Sequence, residues 1–289
     1  MAKPFVNPFV SGQFLELRVD ALVSDGRGLG RHDGVVVLVE DALPGQLVRA
    51  RVDAVRKSLA EAALVEVLER SPDEQEPPCP HAGRCGGCSW QSLAYGRQLA
   101  WKERIVHDAL ERVGKVACPP MLPILPSPSE WGYRNKMEFA FGVSGDGGKA
   151  LGLRERGSRN IVEVTGCLLQ TPLTMRVLEA VRMLSNGAFH DLDGRFLVVR
   201  EPNAGGCFVE LIVGAGGSLE AGERFAEALR AETPEVTGFA LSERLAPSDV
   251  AYGERALYAD GRLEERIGDV RLQMGHNAFF QVNTPAAEL

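Results

Sequence analysis

Residues 78–88 read PCPHAGRCGGC and place three of the chain's six cysteines within ten positions. Cys79, Cys85 and Cys88 follow the spacing C-x5-C-x2-C, and the two glycines between the last pair let the backbone turn tightly around a bound group. A group of this kind can form disulfides, bind zinc or hold an iron–sulfur cluster. The rest of the chain helps to decide between these three explanations.

The composition is that of a globular protein. The chain has 289 residues, of which 45% are hydrophobic and 25% are charged, enough for about two domains. The first ten residues, MAKPFVNPFV, contain no long apolar run, and eighteen or more apolar residues never occur in succession. We therefore expect a cytoplasmic protein without a membrane partner. Structural disulfides are rare in that compartment, which makes them the least favoured explanation for the cysteines.

Two regions of different pattern flank the cysteines. Over residues 14–70, alternating apolar and polar residues separated by glycine turns predict a small closed β-barrel, although LAEAALVEVLER at 59–70 suits a helix as well as a strand. A proline-rich segment at 71–78 follows. One strong helical pattern then stops at Gly114, and strand-like runs alternate with a second helix that Thr171 can cap. This pattern predicts a second domain of the α+β class.

A metal or cluster held by the three cysteines needs a fourth ligand. The candidates are Cys118, Cys167, Cys207 and His81. Structural zinc sites usually combine two close pairs, whereas three clustered thiolates with one remote cysteine are more typical of iron–sulfur ligation. Cys207 lies in the apolar run CFVELIV and is predicted to be a core residue, while Cys167 follows the predicted strand NIVEV. These features favour a cluster; zinc, or a loop that binds no metal, is the alternative.

Five motifs, in their order along the chain, resemble a known family. They are GRGLG at 26–30, CPHAGRCGGCSWQSLAYGRQLAWKERIV at 79–106, WGYRNKMEFAFG at 131–142, IVEVTGC at 161–167 and FFQVN at 279–283. Together they resemble the RNA (uracil-C5) methyltransferases that contain an iron–sulfur cluster, most closely those acting on 23S ribosomal RNA.

The resemblance implies a domain organisation and a set of site residues. It implies a TRAM domain, an OB-like RNA-binding module, at 8–70, a central α+β domain at 71–270 and the start of a methyltransferase domain dependent on S-adenosylmethionine at 271–289. The implied ligands of a [4Fe–4S] cluster are Cys79, Cys85, Cys88 and Cys167. Gln281, in FFQVN, is implied to contact S-adenosylmethionine.

The implied activity is transfer of a methyl group from S-adenosylmethionine to C5 of a uridine in RNA. In the family, the nucleophilic cysteine, the proton-accepting carboxylate and the glycine-rich cofactor loop follow FFQVN in a doubly wound α/β domain. The chain shows no such residues, and GAGGSLEAG at 214–222 is predicted to be a hairpin or loop. We therefore expect an OB-like all-β barrel followed by an α+β domain with a cluster, with the doubly wound domain largely missing. The chain alone is expected to be an inactive monomer that binds RNA and a cluster and has no catalytic residues.

Three other functions compete with this expectation. The chain can be a non-catalytic RNA-binding module with a structural cluster, or its methyltransferase substrate can be a tRNA uridine. Radical enzymes that thiomethylate tRNA also combine a TRAM domain with a cluster, but their motif C-x3-C-x2-C differs from the spacing found here.

Contacts with RNA must come from local patches, because the net charge of the chain is −7. The predicted RNA contacts are Arg27, Arg31, Arg49, Arg51, Arg134, Lys136 and Phe279. The six cations would neutralise phosphates, and the aromatic ring would stack on an unpaired base. For each cation, an ordinary solvated surface position is the alternative.

Overall fold

The computed structural model describes residues 7–214, 217–247 and 249–289 of the chain. The chain divides into two compact units. The first comprises the chain up to Gly83 together with Cys88–Pro126, and the second comprises Arg84–Gly87 and Ser127–Leu289. The domain boundary predicted at residue 71 thus falls inside the first unit. None of the helices in the described ranges has the length and hydropathy that a membrane span needs.

The first unit contains a closed five-stranded barrel. Its strands are β1 (Phe14–Leu22), β2 (Gly28–His32), β3 (Val35–Glu40), β4 (Leu47–Val55) and β5 (Leu59–Glu69), closed in the order β1-β2-β3-β5-β4. Leu15, Leu17 and Val19 of β1 face the interior at every second position, as the alternating sequence predicts. The ambiguous segment 59–70 forms β5, because Ala60 and Ala62 fill the interior at period two.

One glycine of the GRGLG motif is required by this barrel. A Cβ atom on Gly30 would lie 2.3 Å from the carbonyl oxygen of Arg18 on β1. Any side chain at this position of β2 would therefore push the two strands apart.

A helix follows the barrel within the first unit. Helix α1 (Tyr95–Asp108) continues as one π-helical turn over Ala109–Val113 and ends at Gly114, where the sequence predicts its end. Trp101 of α1 is buried in a small core with Leu22, Leu43 and Leu93. Trp90 packs against the same core.

The second unit is built on a seven-stranded sheet. Its strands are β6 (Lys136–Val143), β7 (Lys149–Arg154), β8 (Ile161–Val162), β9 (Gly194–Arg200), β10 (Cys207–Val213), β11 (Val236–Glu243) and β12 (Arg255–Asp260). Their order in the sheet is β12-β11-β10-β9-β6-β7-β8, and only the β10–β11 pair among these described strands is parallel.

Two helices cover one face of this sheet. Helices α2 (Pro172–Asn186) and α3 (Leu219–Glu232) pack on the side chains of Phe139, Val209 and Phe239. Thr171 caps α2 as predicted, with its Oγ1 accepting the N–H of Thr174 at 3.3 Å. The hairpin β13 (Leu263–Ile267) and β14 (Val270–Met274) follows, and α4 (Thr284–Ala287) is the last element.

Helix α3 corrects the prediction of a hairpin or loop at 214–222. Ser218 caps the helix by accepting the N–H of Ala221 at 3.1 Å, so the last residues of this stretch are helical. Ala215 and Gly216 lie outside the described residues. The glycines at the start of the stretch obscured a helix whose apolar residue Phe225 lies in the core.

Candidate functional site

The FFQVN motif lies outside the strands and helices of the second unit. Residues 279–283 have an irregular backbone between β14 and α4. Phe279 is 83% exposed, and Gln281 is also exposed. The candidate site is therefore a surface segment, and what fixes its backbone decides whether it can hold a ligand.

Asn135, immediately before β6, binds this segment at three points. Its backbone N–H donates to the carbonyl oxygen of Val282 at 2.8 Å. Its side-chain Nδ2 donates to the carbonyl oxygen of Gln281 at 3.1 Å and to Oγ1 of Thr284 at 2.8 Å. The segment therefore follows the start of β6, although 146 positions separate Asn135 from Gln281.

Glu265 on β13 holds Asn135 in turn. This carboxylate is 1% exposed. Its Oε1 accepts the N–H groups of Asn203 at 2.7 Å and Arg266 at 3.0 Å, and its Oε2 accepts Nδ2 of Asn135 at 3.3 Å. A buried charge is tolerated when hydrogen bonds surround it in this way. We call Asn135, Glu265 and their contacts the Asn135–Glu265 hub.

A second anchor comes from the face of the sheet that the helices leave open. Side chains alternate along β9 and β10, so Arg200 and Glu210 lie opposite the helix-covered core. Arg200 is 5% exposed, and its Nη2 donates to the carbonyl oxygen of Ala278 at 2.7 Å. Burial lowers the pKa of the Arg200 guanidinium, and the nearby carboxylates of Glu210 and Glu138 oppose that shift.

Residues just before the motif contact the same face. Nε2 of His276 lies 3.7 Å from Oε1 of the buried Glu210. Nδ2 of Asn277 donates to the carbonyl oxygen of Gly253 at 2.8 Å. A Cβ on Gly253 would come within 2.3 Å of the Cβ of Ser242 and 2.6 Å of that same Glu210 oxygen, so a side chain does not fit there without a shift. The backbone is thus fixed on both sides of Phe279, while the ring itself is exposed.

The predicted basic residues of the barrel are mostly paired with carboxylates. Arg27 lies 2.7 Å from Asp25, whose pKa is lowered by the hydrogen bond from this guanidinium. Arg51 lies 3.0 Å from Asp53, and Arg31 is exposed on β2. Such surface pairs stabilise a protein little and can open to a phosphate.

The other predicted cations are also placed at the surface or near it. Arg49 lies between Glu16, at 2.8 Å, and Glu66, at 3.0 Å. In the second unit, Nε of Arg134 donates to the carbonyl oxygen of Lys136 at 2.9 Å, and the Lys136 ammonium lies 2.5 Å from Glu138. Most of the predicted cations therefore already contact an acceptor group of their own unit.

The cysteines of the predicted cluster are divided between the units. Cys79 and Cys88 belong to the first unit, whereas Cys85 and Cys167 belong to the second. In the described ranges, no group of three or more His, Cys, Asp and Glu side chains is placed to hold a metal ion. Strand β8 is shorter than the predicted strand NIVEV, so Cys167 lies in the loop before α2.

Cys207, the cysteine in the core of the second unit, does not have a reactive thiol. Cys207 is buried on β10, as its apolar neighbours predict. Burial raises the pKa of the Cys207 thiol to about 12, so the group stays protonated and is no nucleophile at neutral pH.

The barrel is recognisable by comparison with known families. Residues 8–65 match the family model of the TRAM domain. The matched residues form most of the closed five-stranded barrel of the first unit, and the match confirms that part of the expected resemblance.

The whole chain is similar to proteins described as RNA methyltransferases. An uncharacterized RNA methyltransferase of Nitratidesulfovibrio vulgaris is 45% identical, with 97% of this chain and 63% of that protein covered. An uncharacterized RNA methyltransferase of Thermosynechococcus vestitus is 33% identical, with 96% and 63% covered. The chain thus spans about 63% of the length of these relatives.

A solved structure shares the fold. The tRNA (uracil-54, C5)-methyltransferase of Pyrococcus abyssi, solved in complex with S-adenosyl-L-homocysteine, matches with a TM-score of 0.69 and 23% identity. The match covers 94% of this chain and 62% of that chain. At this level of identity, the likeness concerns the fold alone.

The predicted fold class was wrong as stated. It placed a [4Fe–4S] site within a central α+β domain and treated a doubly wound catalytic domain as largely missing. The fold of the solved structure matches 94% of this chain, and the described residues contain no group of side chains placed to hold a metal ion. These findings also leave the expected inactivity of the chain without support. The cysteine motifs are local in the sequence, whereas a metal site requires side chains that folding brings together.

Sequence reasoning missed the residues that anchor the site. Asn135 lies between the predicted cations Arg134 and Lys136, but the sequence does not predict its contacts. The usable signal was the charged residue Glu210 inside the apolar run CFVELIV, because a buried carboxylate usually has a structural or functional partner.

Proposed function

We propose that the chain takes part in transfer of a methyl group from S-adenosylmethionine to C5 of a uridine in RNA. The observation that carries this proposal is the FFQVN segment, whose backbone is anchored by Asn135 and Arg200 while Phe279 and Gln281 are exposed. A preorganised backbone reduces the entropy lost when such side chains bind a ligand. The similarity to RNA methyltransferases supports the same function.

The two exposed side chains have different roles in this proposal. The amide of Gln281 forms a hydrogen bond with S-adenosylmethionine, and the ring of Phe279 stacks on an unpaired base of the RNA. The TRAM domain supplies further contacts with the RNA backbone through Arg27, Arg31, Arg49 and Arg51. Arg134 and Lys136 are proposed to contact phosphates near the start of β6.

The RNA substrate is proposed to be 23S ribosomal RNA, with the protein acting as a cytoplasmic monomer. The motifs described for the sequence support this choice. The solved structure with the same fold is a tRNA methyltransferase, which makes a tRNA uridine the second candidate. Comparing methyl transfer to the two RNAs separates them.

The [4Fe–4S] assignment to Cys79, Cys85, Cys88 and Cys167 stays a prediction from the sequence. The donor set of four thiols suits a cubane cluster. Neither unit carries all four cysteines by itself, and the described residues form no metal-binding group. A bound cluster would supply cross-linking of the chain, and no step of the proposed function depends on it.

Ligand binding to single-residue variants tests the two proposed roles. We expect Gln281→Ala to weaken S-adenosylmethionine binding about three- to tenfold, the effect of one lost hydrogen bond of about 1 kcal/mol. We expect Phe279→Ala to weaken RNA binding about tenfold through lost stacking. Calorimetry with S-adenosylmethionine and fluorescence anisotropy with labelled RNA measure the two affinities.

The exposed residues Gln273 and Leu272 on the neighbouring strand β14 provide matched controls. Gln273→Ala should leave cofactor binding unchanged, and Leu272→Ala should leave RNA binding unchanged. If Gln281→Ala and Phe279→Ala behave like these controls, the FFQVN segment is not the ligand site.

A further inference from the structure

Two segments far apart in sequence form a short ribbon in the second unit. The N–H of Gly86 donates to the carbonyl oxygen of Arg154 at 2.9 Å, and the N–H of Arg156 donates to the carbonyl oxygen of Arg84 at 2.8 Å. Cys85 and Glu155 lie opposite each other in this antiparallel pair. We call residues 84–86 and 154–156, with the turn that closes at Asn160, the arginine ribbon.

The pairing places three arginines on one side of the arginine ribbon. Because Cys85 is opposite Glu155, Arg84 is opposite Arg156. Side chains alternate between the two sides of a β-ribbon, so Arg154 shares the side of Arg156, and Glu155 points to the other. Arg159 adds a fourth guanidinium in the turn, with a side chain that is 88% exposed.

The turn of the ribbon is held in one conformation. The carboxylate of Glu155 accepts Oγ of Ser158 at 2.7 Å and Nδ2 of Asn160 at 3.0 Å. These hydrogen bonds lower the pKa of Glu155, that from Ser158 most, so it is ionised at neutral pH. Gly157 has a φ of 67° and no atom within 4 Å of the position of a Cβ, which leaves space above the turn.

The arginine ribbon is rich in positive side chains, although the chain as a whole is acidic. Arg84, Arg154, Arg156 and Arg159 place four guanidinium groups along one short ribbon, whereas the net charge of the chain is −7. Asp249 lies 2.8 Å from Arg154 and 3.7 Å from Arg159. A surface with this many guanidinium groups attracts polyanions.

We propose that the arginine ribbon, through Arg84, Arg154, Arg156 and Arg159, binds the phosphate backbone of the RNA substrate. Guanidinium groups match phosphate oxygens in pairs, which makes arginine the side chain best suited to this contact. The proposal rests on the proposed function, because it takes the RNA of the methyl transfer as the partner. It adds a contact surface outside both the TRAM domain and the FFQVN segment.

Charge reversal at the two exposed ends of the ribbon tests the proposal. We expect Arg84→Glu/Arg159→Glu to weaken binding of labelled RNA by about tenfold or more and to reduce the slope of log affinity against log salt by about 1 to 2. The control is Arg176→Glu/Arg271→Glu, which changes the charge equally at two exposed arginines of the same unit. Anisotropy titrations at four salt concentrations give both quantities.

Each possible result of these titrations supports or overturns the proposal. Circular dichroism melting confirms that the variants fold, and Arg84→Gln/Arg159→Gln repeats the test with a smaller perturbation. Equal losses in ribbon and control variants, or an unchanged salt slope, would overturn the ribbon proposal and leave the proposed function in place. Failure of the unsubstituted chain to bind any of the RNAs would overturn both.

Discussion

At the scale of single residues, strand β10 of the second unit carries both a buried carboxylate and a buried thiol. Glu210 and Cys207 both belong to β10, but their side chains lie on opposite faces of the sheet. The open face holds the charges that anchor the FFQVN segment. The helix-covered face is apolar, which keeps the thiol of Cys207 neutral.

The raised pKa of Cys207 predicts a pH-dependent loss of stability. An unfolded cysteine has a pKa of about 8.5, while burial raises that of Cys207 to about 12. The folded state therefore holds the proton more tightly, and this stabilisation is complete below about pH 8 and is lost as the pH rises towards 12. Between pH 7 and pH 10, we expect Cys207 to lower the free energy of unfolding by about 1–2 kcal/mol.

Urea unfolding of the chain and of Cys207→Ala at both pH values measures this effect. The variant loses some packing at every pH, so only the difference between the two pH values is compared. An identical pH dependence in the two proteins would contradict the assignment. Native Cys207 should also resist a thiol reagent at pH 8 and react after unfolding.

At the scale of elements, the FFQVN segment is positioned by residues from three other parts of the chain. Asn135 precedes β6, Arg200 ends β9 and Glu265 lies on β13. Asn135 and Arg200 donate hydrogen bonds to the backbone around the segment, and Glu265 accepts one from Asn135. The irregular segment can therefore keep one backbone conformation without being part of the sheet.

Loss of the Asn135 side chain should release this element. We expect Asn135→Ala to lower the free energy of unfolding by about 1–3 kcal/mol, because Glu265 and Thr284 lose a buried donor. We also expect faster amide hydrogen exchange in the peptide covering residues 276–288. Asn186→Ala, at the exposed end of α2, should change the free energy of unfolding by no more than about 0.5 kcal/mol. It should leave amide exchange in the same peptide unchanged. Unchanged exchange in Asn135→Ala would show that the hub does not hold the segment.

Local patterns predicted the regular elements well and the site poorly. The alternation in the barrel, the apolar run of β10 and the Thr171 cap of α2 are short-range signals, and the strands and helix occur where those signals place them. Gln281 was named from the resemblance, but its anchors were not. Arg200 and Asn135 lie 78 to 149 positions from the residues they bind. Helix and strand periodicity relates only residues that are a few positions apart, so it does not predict these contacts. Helix α3 was missed because glycines precede its Ser218 cap.

At the scale of the whole molecule, the cysteines of the predicted cluster belong to both units. Iron analysis decides whether they act together. A cubane held by all four thiolates would give anaerobically purified protein about four irons with sulfide per chain. Cys167→Ser should lose the iron, while Cys118→Ser should keep it. Stoichiometric zinc without sulfide, or iron retained in Cys167→Ser, would contradict the ligand set.

The closed barrel has a consequence for how this protein avoids misassembly. Strand β5 pairs in parallel with β3 and antiparallel with β4, and this double pairing removes both free edges of the five strands. Exposed strand edges can pair with strands of other chains, which leads to aggregation. A fragment ending between β4 and β5 would uncover two such edges and would tend to aggregate. The barrel prepared in isolation therefore has to extend through Glu69.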